Sequence, residues 1–225
     1  DLLIGVTTFF RDGPGFDTLQ AQLRELAASP VEPERELRAW VAGCASGEEA
    51  CSMAILLDEA IRAAGARREF EVFATDIHEG ALESAGAGVF AADRLKGVSE
   101  ERRQRYFRCR PDGRFQVSAE IRQRIVFAKH NLLTDTPFTN LDLVSCRNLL
   151  IYLRPQAQRR ALASLCYGLR FGGILFLGSS ETPGEMLSSF DTLSESAKVY
   201  RKRVHTRAMH RPEIPTRVAL RPTHE

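Results

Sequence analysis

Paired cysteines are missing from this sequence. Its five, Cys44, Cys51, Cys109, Cys146 and Cys166, are odd in number and none falls in a CxxC spacing. That argues against a disulfide framework or a zinc site and fits reduced thiols in the cytoplasm. Long apolar runs are missing too. No segment approaches the roughly 20 residues of a membrane span, and no signal peptide opens the chain, so direct membrane insertion is not expected. A GxSxG elbow is also absent, which removes the commonest hydrolase signature. No metal cluster, internal repeat or oligomer signal stands out, and a monomer is the default expectation.

What is present is an ordinary globular composition, 44% hydrophobic and 27% charged over 225 residues, enough for one sizeable core with a small appended unit. The net charge of +2 hides an asymmetry. Residues 94–124 hold ten Lys/Arg against four Asp/Glu, and residues 201–225 hold seven against two, so the remainder is about −9. A basic module on an acidic body suggests an anionic partner, or else a solvated arginine-rich face.

The pattern along the chain alternates strands and helices. Residues 2–12 are apolar and β-branched, an opening that reads as the end of something upstream. Helical spacing over 16–28 stops at Pro30 and Pro33. Arg38–Ala42 reads as a buried strand, about 48–64 as a helix, Phe70–Thr75 as a second strand and about 79–87 as a helix. Residues 94–124 break the rhythm with a helical piece and a hairpin around Pro111-Asp112-Gly113. Strands at Ile125–Lys129 and Leu141–Ser145, a helix over about 156–169 and a strand at Ile174–Gly178 resume it, with two late strands near 191–193 and 198–201. This predicts an α/β, mostly parallel, doubly wound sheet. The expected organisation is an N-terminal segment at 1–33 leading into the cofactor site and a domain at 34–204 with a unit inserted at about 94–124. A disordered tail or linker is expected at 205–225.

In such sheets the ligand lies beyond the carboxyl ends of the central strands. The first strand ends in Gly43-Cys44-Ala45-Ser46-Gly47-Glu48-Glu49. Glycine loops of this kind usually bring a helix N-terminus up to a phosphate. Two carboxylates in the first turn would repel a pyrophosphate, yet they suit a ligand carrying an ammonium or sulfonium group and a ribose, such as S-adenosylmethionine. Ser46 reads as the N-cap with Glu49 as its capping-box partner, leaving Glu48 for the ligand. The second strand ends in Asp76, placed for a ribose hydroxyl; the third leads into His130-Asn131-Leu132, the fourth into Cys146-Arg147-Asn148. Each has a plainer alternative: helix-start carboxylates, a helix cap at Asp76, turn residues at Asn131 and Asn148. Four such features in order on one sheet edge favour a shared pocket.

VTTFFRD, AGCASGEEA, FATDI, AKHNLL, PFTNLDLVSCRNLLIYL and GGILFLGSSE, in this order, resemble the chemotaxis receptor methyltransferase (CheR) family from about residue 4 to 202. The resemblance implies a class I, Rossmann-like S-adenosylmethionine-dependent methyltransferase with a small inserted antiparallel β-subdomain. It implies S-adenosylhomocysteine as product and glutamate esterification on the cytoplasmic part of bacterial methyl-accepting chemoreceptors. Position by position it assigns Thr7, Arg11, Gly43, Glu48, Asp76, Asn131, Leu132, Asn148 and Leu149 to the cofactor, and the 94–124 unit to a receptor peptide in some members. Arg11 and Tyr152 are the candidates for positioning the incoming carboxylate and methyl group. Gly5 departs from a frequent asparagine, Ala45-Ser46 from Ser-Thr and Ala50-Cys51 from Pro-Tyr. The family's N-terminal helical domain has no counterpart here, so a catalytic domain cut from a longer protein is expected. The opening resembles fusions with an upstream methylesterase domain.

Three rival readings compete: a hydrolase using Cys44, Ser46 or Cys146 with His130; a nucleic-acid methyltransferase, for which interleaved aromatics are lacking; and a module that binds S-adenosylmethionine or its product as a signal without methyl transfer.

Overall fold

The computed structural model describes residues 7–30, 32 and 34–203; Gly5, Pro33 and the expected tail at 205–225 lie outside them. In chain order the elements are α1 (Gly13–Ala28), β1 (Leu37–Ala42), α2 (Glu48–Ala63), β2 (Phe70–Asp76), α3 (Glu79–Ala87) and β3 (Val89–Phe90). Then come α4 (Glu100–Tyr106), β4 (Phe107–Cys109), β5 (Phe115–Val117), the single turn α5 (Ala119–Arg122), β6 (Ile125–Lys129) and β7 (Leu141–Cys146). The last elements are α6 (Pro155–Gly168), β8 (Leu169–Leu177), β9 (Phe190–Ser194) and β10 (Val199–Lys202).

Seven strands form one sheet in the order β6-β2-β1-β7-β8-β10-β9. The first five are parallel, and β10 and β9 join antiparallel at the edge. Strands are added outward in opposite directions from β1 and β7, which makes the crevice at their carboxyl ends the switch point where ligands lodge. All six residues of β7 are buried, as a strand covered on both faces requires. Side-chain alternation sorts the strands onto two cores. Ala39, Val41, Leu143 and Phe176 pack with Leu19, Leu23, Met53 and Leu57 of α1 and α2. Trp40, Val144, Leu175 and Leu177 pack with Leu162 and Leu165 of α6.

Two elements differ from the sequence expectation in extent. α1 begins at Gly13, with Pro14 in its first turn, where proline's fixed φ and missing N–H cost nothing. β8 starts at Leu169 rather than Ile174, so Gly172-Gly173 lies within it, beside a register shift between Leu141 and Leu143. The glycines mark an irregularity inside the strand rather than its start.

The inserted unit is a three-stranded antiparallel sheet in the order β3-β5-β4, so its first strand comes from Val89–Phe90, before the basic stretch begins. It is bolted to the N-terminal segment by Phe9, fully buried, whose ring meets Phe90 at 4.9 Å and Phe107 at 5.1 Å edge-on. At Gly97 the backbones touch, and a Cβ there would lie 2.4 Å from the Phe9 carbonyl oxygen. Three of the ten basic side chains of 94–124 are committed inward. Arg94 donates to the Thr7 carbonyl, Arg102 pairs with Glu59 and stacks on Phe10, and Arg122 donates to the Gly86 and Ile125 carbonyls.

Candidate functional site

The loop after β1 folds over the end of β2. The Gly43 and Cys44 amides both donate to the Thr75 carbonyl, at 2.8 and 2.9 Å, and the Ala45 amide donates to Asp76 Oδ2 at 2.9 Å. Asp76 Oδ1 accepts from the His78 amide at 3.0 Å. His78, not Asp76, is the N-cap residue of α3. Each Asp76 oxygen thus accepts one backbone N–H and keeps acceptor capacity for a hydroxyl.

The expected capping box does not form. Gly47 is the N-cap of α2, at φ 94°, and no side chain caps this helix end. A Cβ at Gly47 would come 2.8 Å from Ala85 Cβ, so the left-handed conformation and the close α3 contact both call for glycine. With the cap moved one residue on, Ser46 Oγ instead donates to Glu48 Oε2 at 2.6 Å. Glu49, expected to close the box, turns to β7 and accepts from Ser145 Oγ at 2.6 Å and Arg147 Nη1 at 3.2 Å. Its role is to tie helix to sheet.

Glu48 is almost fully buried. Its Oε1 lies 3.7 Å from Arg94 Nη1, the same nitrogen that reaches the Thr7 carbonyl. Burial raises its carboxyl above the ordinary range, while the Ser46 hydrogen bond, its own backbone and the Arg94 charge pull the other way. A carboxylate penalised by desolvation gains from any cation that comes to share its site. Thr7 and Glu48, 41 positions apart, are therefore bridged by one arginine from the inserted unit.

Arg11 is placed through its backbone. Arg147, with a side chain 2% exposed, donates from Nη2 to the Arg11 carbonyl at 2.8 Å and to Asp12 Oδ2 at 2.9 Å. Its guanidinium lies over both the Phe16 and Phe176 rings, 5.0 and 4.6 Å from their centroids. One buried cation so joins the N-terminal segment, the first turn of α2 and the end of β7.

The two asparagine turns are built differently. Asn131 is exposed, and its Oδ1 accepts from the Leu133 amide at 3.0 Å, while Leu132 packs into the core beside Trp40 and Leu150. Asn148 sits at φ 56°, in the left-handed region. Its amide and those of Leu149 and Leu150 donate to the carboxylate of Glu181, at 3.0, 3.0 and 2.8 Å. Leu149 closes on the glycine loop, where a Cβ at Gly43 would meet its Cδ2 at 3.0 Å. Tyr152 follows on a 3-10 turn, 60% exposed at the mouth of this edge.

The hydrolase alternative fails on this geometry. Cys44 and Cys146 are buried, and burial first of all drives both thiols well above their ordinary range. Ser46 Oγ is engaged by Glu48, and His130 Nε2 faces the Thr136 carbonyl. No nucleophile–base pair exists among them, and thiols held protonated are poor nucleophiles.

Residues 5–199 match the family described as CheR methyltransferase, SAM binding domain. The chain belongs to the CheR methyltransferase family. Chemotaxis protein methyltransferase 1 of Pseudomonas aeruginosa is 36% identical over 180 residues, 78% of this chain and 65% of that protein. The chemotaxis protein methyltransferase of Listeria innocua is 33% identical, covering 80% of this chain and 66% of its own length. An uncharacterized 104.1 kDa protein of Rhodobacter capsulatus is 42% identical over 89% of this chain, which spans only 21% of it. Among solved structures, the N-methyltransferase NodS of Bradyrhizobium japonicum superposes with a TM-score of 0.46 at 17% identity, covering 86% of this chain and 90% of that one.

S-adenosylmethionine is the ligand of this CheR-family domain, and the edge suits it. Gly43 turns the loop at a positive φ with no side chain pressing on Leu149, Asp76 offers paired acceptors, and Glu48 offers a buried acid for a cation. Sequence reasoning missed Arg94, Arg147 and Glu181, which hold these pieces together from 33 to 136 positions away. The GSSE tetrapeptide that ends GGILFLGSSE was the visible signal for Glu181.

Proposed function

We propose that this chain is the catalytic domain of an S-adenosylmethionine-dependent protein-glutamate O-methyltransferase acting on the cytoplasmic part of methyl-accepting chemoreceptors. The observation that carries the reading is the pairing of Asp76 with the Ala45 amide at the foot of a loop whose helix begins with buried Glu48. That arrangement presents acids, not a phosphate-binding lysine, to the ligand. The CheR family match and the names of the Pseudomonas and Listeria relatives supply the reaction class.

In this reading Asp76 holds a ribose hydroxyl, Glu48 holds an ammonium, and Thr7, Arg11, Gly43, Asn131, Leu132, Asn148 and Leu149 line the remaining walls. The cofactor supplies an electrophilic methyl group on a sulfonium. The substrate glutamate, with an ordinary pKa near 4.3, is ionised at neutral pH, so no residue here has to remove a proton. The chain's task is to align the carboxylate oxygen with the methyl carbon and to exclude water, which can supply several kcal/mol. Arg11 is assigned to the incoming carboxylate and Tyr152, on the rim, to the reacting edge. Arg105, Arg108 and Arg114, exposed on the inserted unit, offer a surface to an acidic receptor segment.

The test is transfer of labelled methyl from S-adenosylmethionine to an acidic helical receptor fragment, with the label released by mild alkali. Asp76→Ala is expected to weaken cofactor binding by about 1–3 kcal/mol through loss of a charge-assisted hydrogen bond. Cofactor binding without transfer would replace the enzyme reading with a sensor. Alkali-stable label on nucleic acid would defeat the receptor as substrate.

A further inference from the structure

One carboxylate in this fold has an assignment that neither the strand ends nor the family pattern provides. Glu181 is buried, 4% exposed, in the turn after β8. Its Oε1 accepts from the Leu149 and Leu150 amides at 3.0 and 2.8 Å, and its Oε2 from the Asn148 and Gly178 amides at 3.0 and 2.7 Å. Four backbone donors converge on two oxygens, which saturates a carboxylate from one side. Both oxygens are used twice, so both must be acceptors. A glutamine would not serve, since its amide in either orientation points an NH2 at two N–H groups.

The segment gripped this way is the one that turns sharply at the sheet's switch point. Asn148 is held at φ 56°, a conformation that costs a non-glycine residue energy and persists only when its surroundings fix it. Leu149 then lies against Gly43 of the glycine loop. Leu150 opens the 3-10 turn that ends in Tyr152, and Gln158 on α6 grips the Leu150 and Leu153 carbonyls at 2.9 and 3.0 Å from the far side. Space enforces the same geometry: a Cβ at Gly178 would come 2.7 Å from Glu181 Oε2 and 2.9 Å from the Asn148 amide nitrogen.

We propose that Glu181 is a positioning residue of the methyl-transfer site, fixing the Asn148–Tyr152 turn so that one wall of the cofactor pocket and the rim tyrosine are set together. The assignment rests on the cofactor reading of this edge and deepens it. A residue that sets a pocket wall governs how tightly each site binds. A residue that merely keeps the protein folded governs how many sites are present.

The experiment is calorimetric titration of the full chain with S-adenosylhomocysteine, comparing wild type, Glu181→Gln and Gly178→Ala. Gly178→Ala presses on the same clamp from outside and changes no charge. Both variants are expected to bind at least tenfold more weakly with unchanged stoichiometry, and their amides at 148–150 to lose hydrogen-exchange protection. At saturating S-adenosylmethionine, kcat should fall with little change in the KM of the receptor fragment. Reduced stoichiometry with unchanged affinity in the remaining sites would overturn the proposal, leaving Glu181 a folding residue. Affinity within twofold of wild type in either folded variant would overturn it as well. If wild type itself fails to bind S-adenosylhomocysteine, the cofactor reading falls and takes this role with it, a failure visible before any variant is measured.

Discussion

Two asparagine-leucine turns leave the same edge of the sheet, after β6 and after β7, and they are held in opposite ways. The first is self-contained. The Asn131 amide donates to Asp135 Oδ2 at 2.8 Å, the Asp135 amide to the Asn131 carbonyl at 2.9 Å, and Thr134 Oγ1 to Asp135 Oδ1 at 3.0 Å. The second is tied to residues far along the chain: Glu181, more than 30 positions downstream, accepts its amides, and its own Arg147 reaches back 136 positions to the Arg11 carbonyl. A turn closed by its neighbours can form and fray on its own. A turn closed by buried charges from other elements stands or falls with the fold, and that rigidity is what a reaction needing sub-ångström alignment requires.

Breaking the second turn should cost the most. Arg147→Met keeps an unbranched side chain but leaves Glu49 and Asp12 without their partner, and is expected to destabilise by about 3 kcal/mol, the scale of a broken buried ion pair. Urea denaturation measures it, and a loss under about 1 kcal/mol would mean that the Arg147 guanidinium is not what holds this turn. Next in size is Asn148→Ala, expected to cost about 1 kcal/mol because alanine resists a positive φ, with Asn148→Gly close to neutral. Equal effects of the two would show that the left-handed turn is not what asparagine supplies. Asn131→Ala removes one exposed side-chain acceptor and should cost less, about 0.5 kcal/mol.

The smallest effect is on pH. The Asn131 amide, then the Thr134 hydroxyl, hold the Asp135 carboxyl below its ordinary value of 3.8. A depressed acid contributes stability that is present above its unfolded pKa and lost as pH falls through its folded one. Hydrogen exchange at residues 131–135 should therefore lose protection on acidification below about pH 4, a threshold set by that ordinary carboxylate range. Protection unchanged well below that range would remove Asp135 as the turn's closure.

What could be read in the sequence follows the same division. The α/β order, the parallel strands and the ends of β1, β2, β6 and β7 were legible because alternation and helical spacing are local signals. Asp76 was legible as the end of β2, the strand beside β1. The capping box was misread. The Ser46–Glu49 spacing is right, but Gly47, in the left-handed region and at a spot where a Cβ would strike Ala85, takes the cap. No local pattern reports that contact. Glu49 turns to Ser145 and Arg147 instead of the helix end.

The basic stretch shows the limit from another side. Its charge was countable, but which arginines face inward was not. Arg94 reaches Thr7 and Glu48, and Arg102 reaches Glu59 and Phe10, because Phe9 seats the inserted unit against the N-terminal segment.

By itself the sequence determined the alternation of elements, the membership in the CheR methyltransferase family and the acids at the carboxyl ends of the strands, since each is written in residues close to one another. Tertiary structure decided which side chains hold those ends in place. Arg94, Arg147 and Glu181 act across long separations, and a charge finds its partner only after burial has removed water as the competing one.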